Sequence, residues 1–437
     1  MDDTPSPEDT EEQSTVPRSP VRLVTDDDTG WEDQLLRSAP DKQGNTYLLK
    51  LTENAAVILA NDPAWRGNVY YDTFLQRVNI KPPWATEPCD ISDVDTTKIQ
   101  GWLARYWSLI LPWESVNRAI DQVAADHQRS SLLDYLDSLK WDGTARVDTW
   151  LATYLGCADE LASLAGRWTL IAAVARGVKP GCKHDHVLIL EGEQGAGKSR
   201  TLAALCPVET WFSDTPLDLG SKDAMQGLQG RWLVELAELD SLLRARSNEA
   251  TKAFLSSRID TYRPSYGRRT VQVHRQSILI GTHNPAGGYL TDETGNRRVW
   301  PVRTGAIDLP ALRRDRDQLW AEAVTLYRSG ARWWPEGDED HHMCRAAQDA
   351  RRIEPDIWTD AVRIWAATRS EVTIDDVIDS ALQIRQQDRT RREQLRVASI
   401  LLDLGYTHVR TRRPDGTRQW TYRRDIPVPA ETDAFPW

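Results

Sequence analysis

Eight consecutive residues, Gly192-Glu193-Gln194-Gly195-Ala196-Gly197-Lys198-Ser199, have the types and spacing that chemistry on phosphate requires. Glycines let backbone N–H groups close around phosphate oxygens, Lys198 can reach the outer phosphates, and the Ser199 hydroxyl suits one position around Mg²⁺. An apolar run before the loop, Val187-Leu188-Ile189-Leu190, reads as a buried strand, and Arg200-Thr201-Leu202-Ala203-Ala204-Leu205 after it reads as a helix. Strand, loop and helix together predict an ATP site lined by the eight loop residues and Arg200.

Splitting ATP needs one carboxylate to hold Mg²⁺ and another to orient and polarise the attacking water, both beside the loop. Gln229-Gly230-Arg231-Trp232-Leu233-Val234-Glu235-Leu236-Ala237-Glu238 reads as a turn, a second buried strand and an acidic strand tip. Glu235 is expected at the metal and Glu238 at the water, with Asp240 a weaker candidate for the same work. A third apolar strand, Gln276-Ser277-Ile278-Leu279-Ile280-Gly281, runs into Thr282-His283-Asn284, and the Asn284 amide suits a sensor of the γ-phosphate or of the attacking water. Paired arginines follow in Asp292-Glu293-Thr294-Gly295-Asn296-Arg297-Arg298-Val299-Trp300-Pro301. Arg297 and Arg298 could stabilise charge on the transferring phosphoryl group, within the subunit or as fingers from its neighbour.

In order along the chain, these motifs resemble the virulence-associated protein E family of mobile-element ATPases, itself similar to superfamily 3 helicases and the wider AAA+ group. The resemblance spans roughly residues 134–335. It rests on Leu139-Lys140-Trp141-Asp142-Gly143, the phosphate loop with Glu191 before it, Trp232 to Leu239, Tyr262-Arg263-Pro264-Ser265-Tyr266-Gly267-Arg268-Arg269 and Thr294 to Pro301. Glu193 and Val299 depart from residues common in the family and spare the phosphate contacts. The resemblance implies an ATPase of mobile-element DNA replication acting as a ring oligomer, such as a hexamer, on single-stranded or forked DNA. No primase acidic cluster stands out, so priming falls to a separate polypeptide.

Two basic segments supply DNA contacts. Arg263 to Arg275 alternates Val271 and Val273 after a glycine-bearing basic tip, a β-hairpin pattern. In superfamily 3 helicases a hairpin at this point enters the ring pore, which assigns Arg263, Tyr266, Arg268 and Arg269 to DNA. Near the C-terminus, Val372 to Leu382 and Arg392 to Leu402 read as amphipathic helices, the second ending near Gly405. A hairpin with an Asp415-Gly416 turn follows, in which six arginines stand against one acid. Helix, helix and basic hairpin suggest a winged helix, with Arg410, Arg412, Arg413 and Arg418 on DNA.

The elements that must position these groups follow from composition. At 437 residues the chain has room for several domains: an acidic tail to residue 30, a mainly helical domain at 31–155, the P-loop ATPase domain at 156–335 and the winged-helix-like domain at 336–437. The fold class expected is α/β, with an AAA+-like core between the two flanking domains. Nine acids against two arginines in residues 1–30 carry seven of the eleven net negative charges, so the overall charge excludes no nucleic-acid partner. The tail's composition predicts disorder. Ser130 to Trp150 has a helix-turn-helix pattern, with Trp141 and Trp150 read as packing anchors. No apolar stretch approaches the ~20 residues that span a bilayer, and five scattered cysteines without a signal pattern fit a reducing cytoplasm. Cys182, His184 and His186 are too tightly spaced to form a zinc site on their own. The competing functional class is an ATP-dependent switch that binds protein partners and never unwinds DNA.

Overall fold

The computed structural model describes residues 30–219, 221–237, 248–263, 269–284, 289–290, 296–352, 357–385, 389–412 and 418–424. Glu238, Asp240, Tyr266, Arg268, Arg413 and residues 1–29 of the acidic tail lie outside the described residues. The chain divides into two compact units, the smaller taking Tyr289, Leu290 and the residues from Asp349 onward.

The larger unit begins with α1 (Thr52–Asn61), β1 (Val69–Asp72), β2 (Arg77–Ile80), β3 (Cys89–Asp90), α2 (Asp93–Trp107), α3 (Trp113–Asp126) and β4 (Gln128–Arg129). Ser92 starts α2 through a capping box with Asp95, satisfying N–H groups that a helix start leaves without partners. In α3, Val116, Ala119, Ile120 and Val123 recur at helical spacing and are all buried. They pack with Ile58, Leu59, Trp65 and Ile99 into one apolar cluster. The four strands form a sheet in the order β3-β2-β1-β4, which the helical reading of residues 31–155 did not foresee. At two to four residues each, the strands are too short to display an alternating pattern.

Next come α4 (Ser131–Ser138), α5 (Trp150–Leu155), α6 (Leu161–Val178), β5 (Val187–Glu191), α7 (Lys198–Leu205), β6 (Phe212–Ser213), α8 (Lys222–Gly227), β7 (Leu233–Ala237) and α9 (Asn248–Ser256). They are followed by β8 (Ile259–Tyr262), β9 (Val271–His274), β10 (Ile278–His283), β11 (Val299–Arg303), α10 (Leu309–Arg328) and α11 (Gly337–Asp349). A wholly parallel sheet runs β11-β5-β10-β7-β6. Its inner strands β5 and β10 are buried along their full length, as continuous apolar runs require when a parallel sheet is covered by helices. Helix α6, apolar on nearly every side, is buried from Trp168 to Gly177. Trp232 and Trp320 fill the core, and their indole N–H groups donate to the carbonyls of Ala173 and Leu205 at 3.0 and 2.8 Å.

Helices α4 and α5 share this core through Leu132, Leu136, Trp150, Leu151 and Tyr154, so the Ser130 to Trp150 segment packs with the sheet. The Leu139-Lys140-Trp141-Asp142-Gly143 motif is a structural clip. Gln318 on α10 accepts from the Asp142 N–H and donates to the Lys140 carbonyl, while Glu322 accepts the N–H groups of Arg146 (2.6 Å) and Val147 (2.9 Å). Arg146 closes the turn with two 2.8 Å bonds to the Asp142 carboxylate.

In the smaller unit, α12 (Thr359–Ala366), β12 (Glu371–Val372), α13 (Ile374–Asp376) with a π turn at Val377–Ala381, α14 (Arg391–Asp403), β13 (Thr407–Arg412) and β14 (Arg418–Arg423) enclose their own core of Val362, Val377, Ile400, Leu401 and Tyr406. The expected Val372 to Leu382 helix starts later than its apolar pattern implied. Val372 joins the sheet, and Thr373 caps the helix through Asp376. The strands order as β12-β14-β13.

Glu322 is buried and holds two backbone N–H groups. Glu322→Ala removes the acceptor of both and should lower stability by about 2–6 kcal/mol, each of the two unmet donors costing about 1–3. Thermal and urea denaturation check this, and an unchanged midpoint would remove the clip from the account.

Candidate functional site

All five strands of the parallel sheet point their carboxyl ends the same way, so the ends of β5, β7 and β10 gather at one edge. There a cavity of about 560 Å³ is lined by Gln194, Gly195, Gly197, Lys198, Ser199, Arg200, Glu235, Thr282, His283 and Asn284. The loop turns on Gly195 (φ 80°) and Gly197 (φ 100°), conformations that L side chains rarely adopt, and Gly197 opens α7. Gly192 is fixed differently: a Cβ there would meet the Thr304 Oγ1 at 2.3 Å. Thr304, just past β11, clamps the loop's root by donating its N–H (2.7 Å) and hydroxyl (2.8 Å) to the Glu191 carbonyl.

Lys198 is buried against the loop and donates to the carbonyls of Gly192 (2.6 Å) and Glu193 (2.8 Å). Burial pushes its ammonium below the usual lysine value, and the nearby Glu235 carboxylate opposes that shift. The Ser199 hydroxyl donates to Glu235 Oε1 at 2.9 Å, and the Thr282 hydroxyl donates to the same oxygen at 2.6 Å. Glu235 Oε2 is buried with no hydrogen-bond partner among the described residues.

Strand β10 lies between β5 and β7, which brings Thr282 and Asn284 beside both the loop and the acidic strand. Asn284 is exposed at the cavity wall. Glu235 differs from expectation in position: it sits inside β7, level with Ile280, and its side chain reaches forward to Ser199. Sequence reasoning missed Thr282. Its one signal was a hydroxyl residue next to the end of an apolar run.

Arg297 and Arg298 are not with this group. They precede β11, whose first residue Val299 pairs with Val187 at the start of β5, so they stand at the opposite edge of the sheet. Five residues of strand, roughly 17 Å at 3.3 Å per residue, separate that edge from the loop. Arg297 is exposed, and Arg298 Nε donates to Ser256 Oγ at 3.2 Å and lies 3.9 Å from Asp185 Oδ2.

The basic segment between the second and third strands of the sequence reading has antiparallel arms, β8 and β9, paired from Ile259↔His274 to Tyr262↔Val271. Arg263 and Arg269 are exposed where the arms run into the tip. At the root, buried Arg275 pairs with buried Asp260, its Nε 3.0 Å from Oδ2, and its guanidinium lies 4.5 Å over the Phe254 ring. In the smaller unit β13 and β14 pair from Thr407↔Arg423 to Arg412↔Arg418. His408 stacks between Trp420 and Tyr422, and exposed Arg410 lies 5.7 Å over Trp420.

Residues 136–353 match the family model of the virulence-associated protein E-like domain. The chain carries a virulence-associated protein E-like domain. This domain takes in the clip, the parallel sheet, the glycine loop, the hairpin and the arginine pair. No curated protein matches the chain. Among solved structures, the apo C-terminal region of NrS-1 aligns at 11% identity with a TM-score of 0.41, covering 81% of this chain and 96% of that one. An inhibitor-bound JCV helicase aligns at 13% identity with a TM-score of 0.27, covering 58% and 78%. Among the described residues no helix is long and apolar enough to cross a membrane.

Arg275→Met strands the Asp260 carboxylate in the core, and breaking a buried pair on one side costs about 3–5 kcal/mol. Hydrogen exchange across residues 259–274 should accelerate while the parallel sheet stays protected. Uniform protection would show that the pair does not hold the hairpin.

Proposed function

We propose that the chain is a DNA-dependent ATPase of helicase type, acting in replication of a mobile element as a ring of identical subunits. The observation that carries this reading is the convergence of Lys198, Ser199, Thr282 and Glu235 on one cavity at the carboxyl edge of the parallel sheet. The loop's backbone N–H groups and the N-terminus of α7 suit the phosphates of ATP. Lys198 exchanges its carbonyl acceptors for phosphate oxygens, and Asn284 faces the outermost phosphate.

The residues present fit a divalent cation. Ser199 and Glu235 already share a hydrogen bond, and Glu235 has one buried oxygen with no partner among the described residues. Mg²⁺ held by these two would neutralise phosphate charge. Glu238, one residue beyond β7, is proposed as the base that polarises the attacking water. Arg297 and Arg298, at the other edge of their own sheet, suit the ATP site of a neighbouring subunit.

DNA is the proposed polymer substrate, either single-stranded or forked. Arg263, Tyr266, Arg268 and Arg269 would meet it from the hairpin in the ring pore, with the aromatic stacking on bases and the arginines on phosphates. The smaller unit, with its capped helices and three-stranded sheet, is read as a winged helix whose Arg410, Arg412, Arg413 and Arg418 hold duplex or fork. Priming would come from a separate primase.

Lys198→Ala should reduce ATP turnover at least a hundredfold. Glu238→Gln should stall hydrolysis while Mg-ATP still binds, whereas Glu235→Gln should also raise the Mg²⁺ requirement; identical metal titrations for the two would undo that division. Wild-type turnover by Lys198→Ala would overturn the nucleotide site itself.

Arg268→Ala or Tyr266→Ala should suppress DNA-stimulated ATPase and unwinding of a forked duplex while basal turnover survives. Replacing Arg410, Arg412 and Arg413 with Ala should weaken DNA binding and flatten its salt dependence, each lost phosphate contact removing about 0.7–0.9 from the log-log slope. If both sets of variants bind, respond to and unwind DNA like the wild type, the protein-switch reading replaces this one.

A further inference from the structure

At the amino edge of the sheet, away from the glycine loop, a second cavity of about 430 Å³ opens between the segment leading into β5 and the segment after α10. Its wall includes Lys179, Lys183, Arg258, Trp333, Trp334 and His341. Trp333 is anchored by its indole N–H, which donates to the Lys183 carbonyl at 3.1 Å, and Trp334 meets it edge-on at 4.9 Å. Trp334 itself is 41% exposed, a large aromatic surface left in water at the cavity mouth. Lys179, Lys183 and Arg258 are exposed around it.

The charge here opposes that of the whole chain. The acid in this lining, Asp185, faces Arg298 at 3.9 Å and His186 at 3.8 Å, so its charge is directed away from the three rim cations. Burial holds the His186 imidazole down to about 4 and keeps His184 well below the ordinary histidine value, so neither ring repels a cation or attracts an anion at neutral pH. A flat aromatic surface flanked by fixed cations, in a cleft of this volume, is complementary to a planar base joined to a phosphate.

We propose that this cleft binds a nucleotide unit, its base stacked on Trp334 and its phosphate held by Lys179, Lys183 and Arg258. The unit comes either from a single DNA strand or as a free nucleotide. The cleft adjoins the hairpin root. Arg258 directly precedes β8 and donates to the Gly181 carbonyl at 2.7 Å, and a Cβ on Gly181 would lie 2.7 Å from His274 Nδ1 at the end of β9. A ligand here therefore bears on the elements that hold the hairpin. The inference is independent of the glycine-loop reading, because the two cavities lie at opposite edges of the sheet.

The test uses the full chain with two probes, a twelve-nucleotide thymidylate strand carrying one 5-iodouracil and 5-iodo-deoxyuridine monophosphate, each photocrosslinked and mapped by mass spectrometry. Labelling of the Trp333-Trp334 peptide by the strand assigns the site to DNA, and labelling by the monophosphate alone assigns it to a free nucleotide. Trp334→Ala combined with Lys183→Ala should weaken binding of the labelling probe about tenfold, while Trp334→Phe retains most of it and DNA-free ATP turnover stays within twofold in both. Absence of label on this peptide from either probe, or unchanged affinity in the double variant, would overturn the proposal. DNA-free turnover reports separately on the glycine loop, so loss of one reading does not disguise loss of the other.

Discussion

A parallel sheet has two chemically different edges, and this constraint governs the rest of the molecule. Because β11, β5, β10, β7 and β6 all run the same way, every strand ends at the carboxyl edge and begins at the amino edge. Ligands of open α/β sheets gather at the carboxyl ends. Here that edge holds Lys198, Ser199, Glu235, Thr282 and Asn284 around one cavity. Arg297 and Arg298 fall at the amino edge because they precede a strand. For them to act on phosphates at the glycine loop, a second copy of the chain would have to bring the two edges together, an arrangement that the proposed ring would supply.

The order of strands does a second job. Insertion of β10 between β5 and β7 lets one carboxylate oxygen of Glu235 accept hydroxyls from two different elements, Ser199 at the start of α7 and Thr282 in β10. Both hydroxyls hold the side chain in one place while its other oxygen stays buried, without a partner among the described residues. Burial costs Lys198 part of its affinity for a proton, and Glu235 returns some of it. The loop's charges are thus set by the packed sheet beneath them. Thr304 extends this support, clamping Glu191 from β11 and leaving no room for a side chain at Gly192.

The parts legible in the sequence were those with long or chemically restricted patterns. Val187 to Leu190 and Ile278 to Gly281 are apolar runs buried on both faces, and Gly195 and Gly197 of the loop occupy backbone conformations that other residues avoid. The hairpin arm β9 was legible in Val271 and Val273, but β8 was not, since Ile259-Asp260-Thr261-Tyr262 buries Asp260 against Arg275, a pairing that no local pattern announces. Thr282 and the position of Glu235 within β7 depend on strand register, which is a tertiary property. The small N-terminal sheet is built from strands too short to alternate, and the role of Leu139 to Gly143 emerges only once Gln318 and Glu322 lie alongside it. The roles given to Glu238, Tyr266 and Arg268 rest on sequence alone.

The most direct measurement of the central claim is ATP turnover in mixtures of two inactive chains, one carrying Lys198→Ala and the other Arg298→Ala, with mixed assembly confirmed by native mass spectrometry. A site shared between subunits predicts recovered activity, because some interfaces then join an intact glycine loop to an intact arginine. Mixed assemblies with no recovered turnover would contradict it.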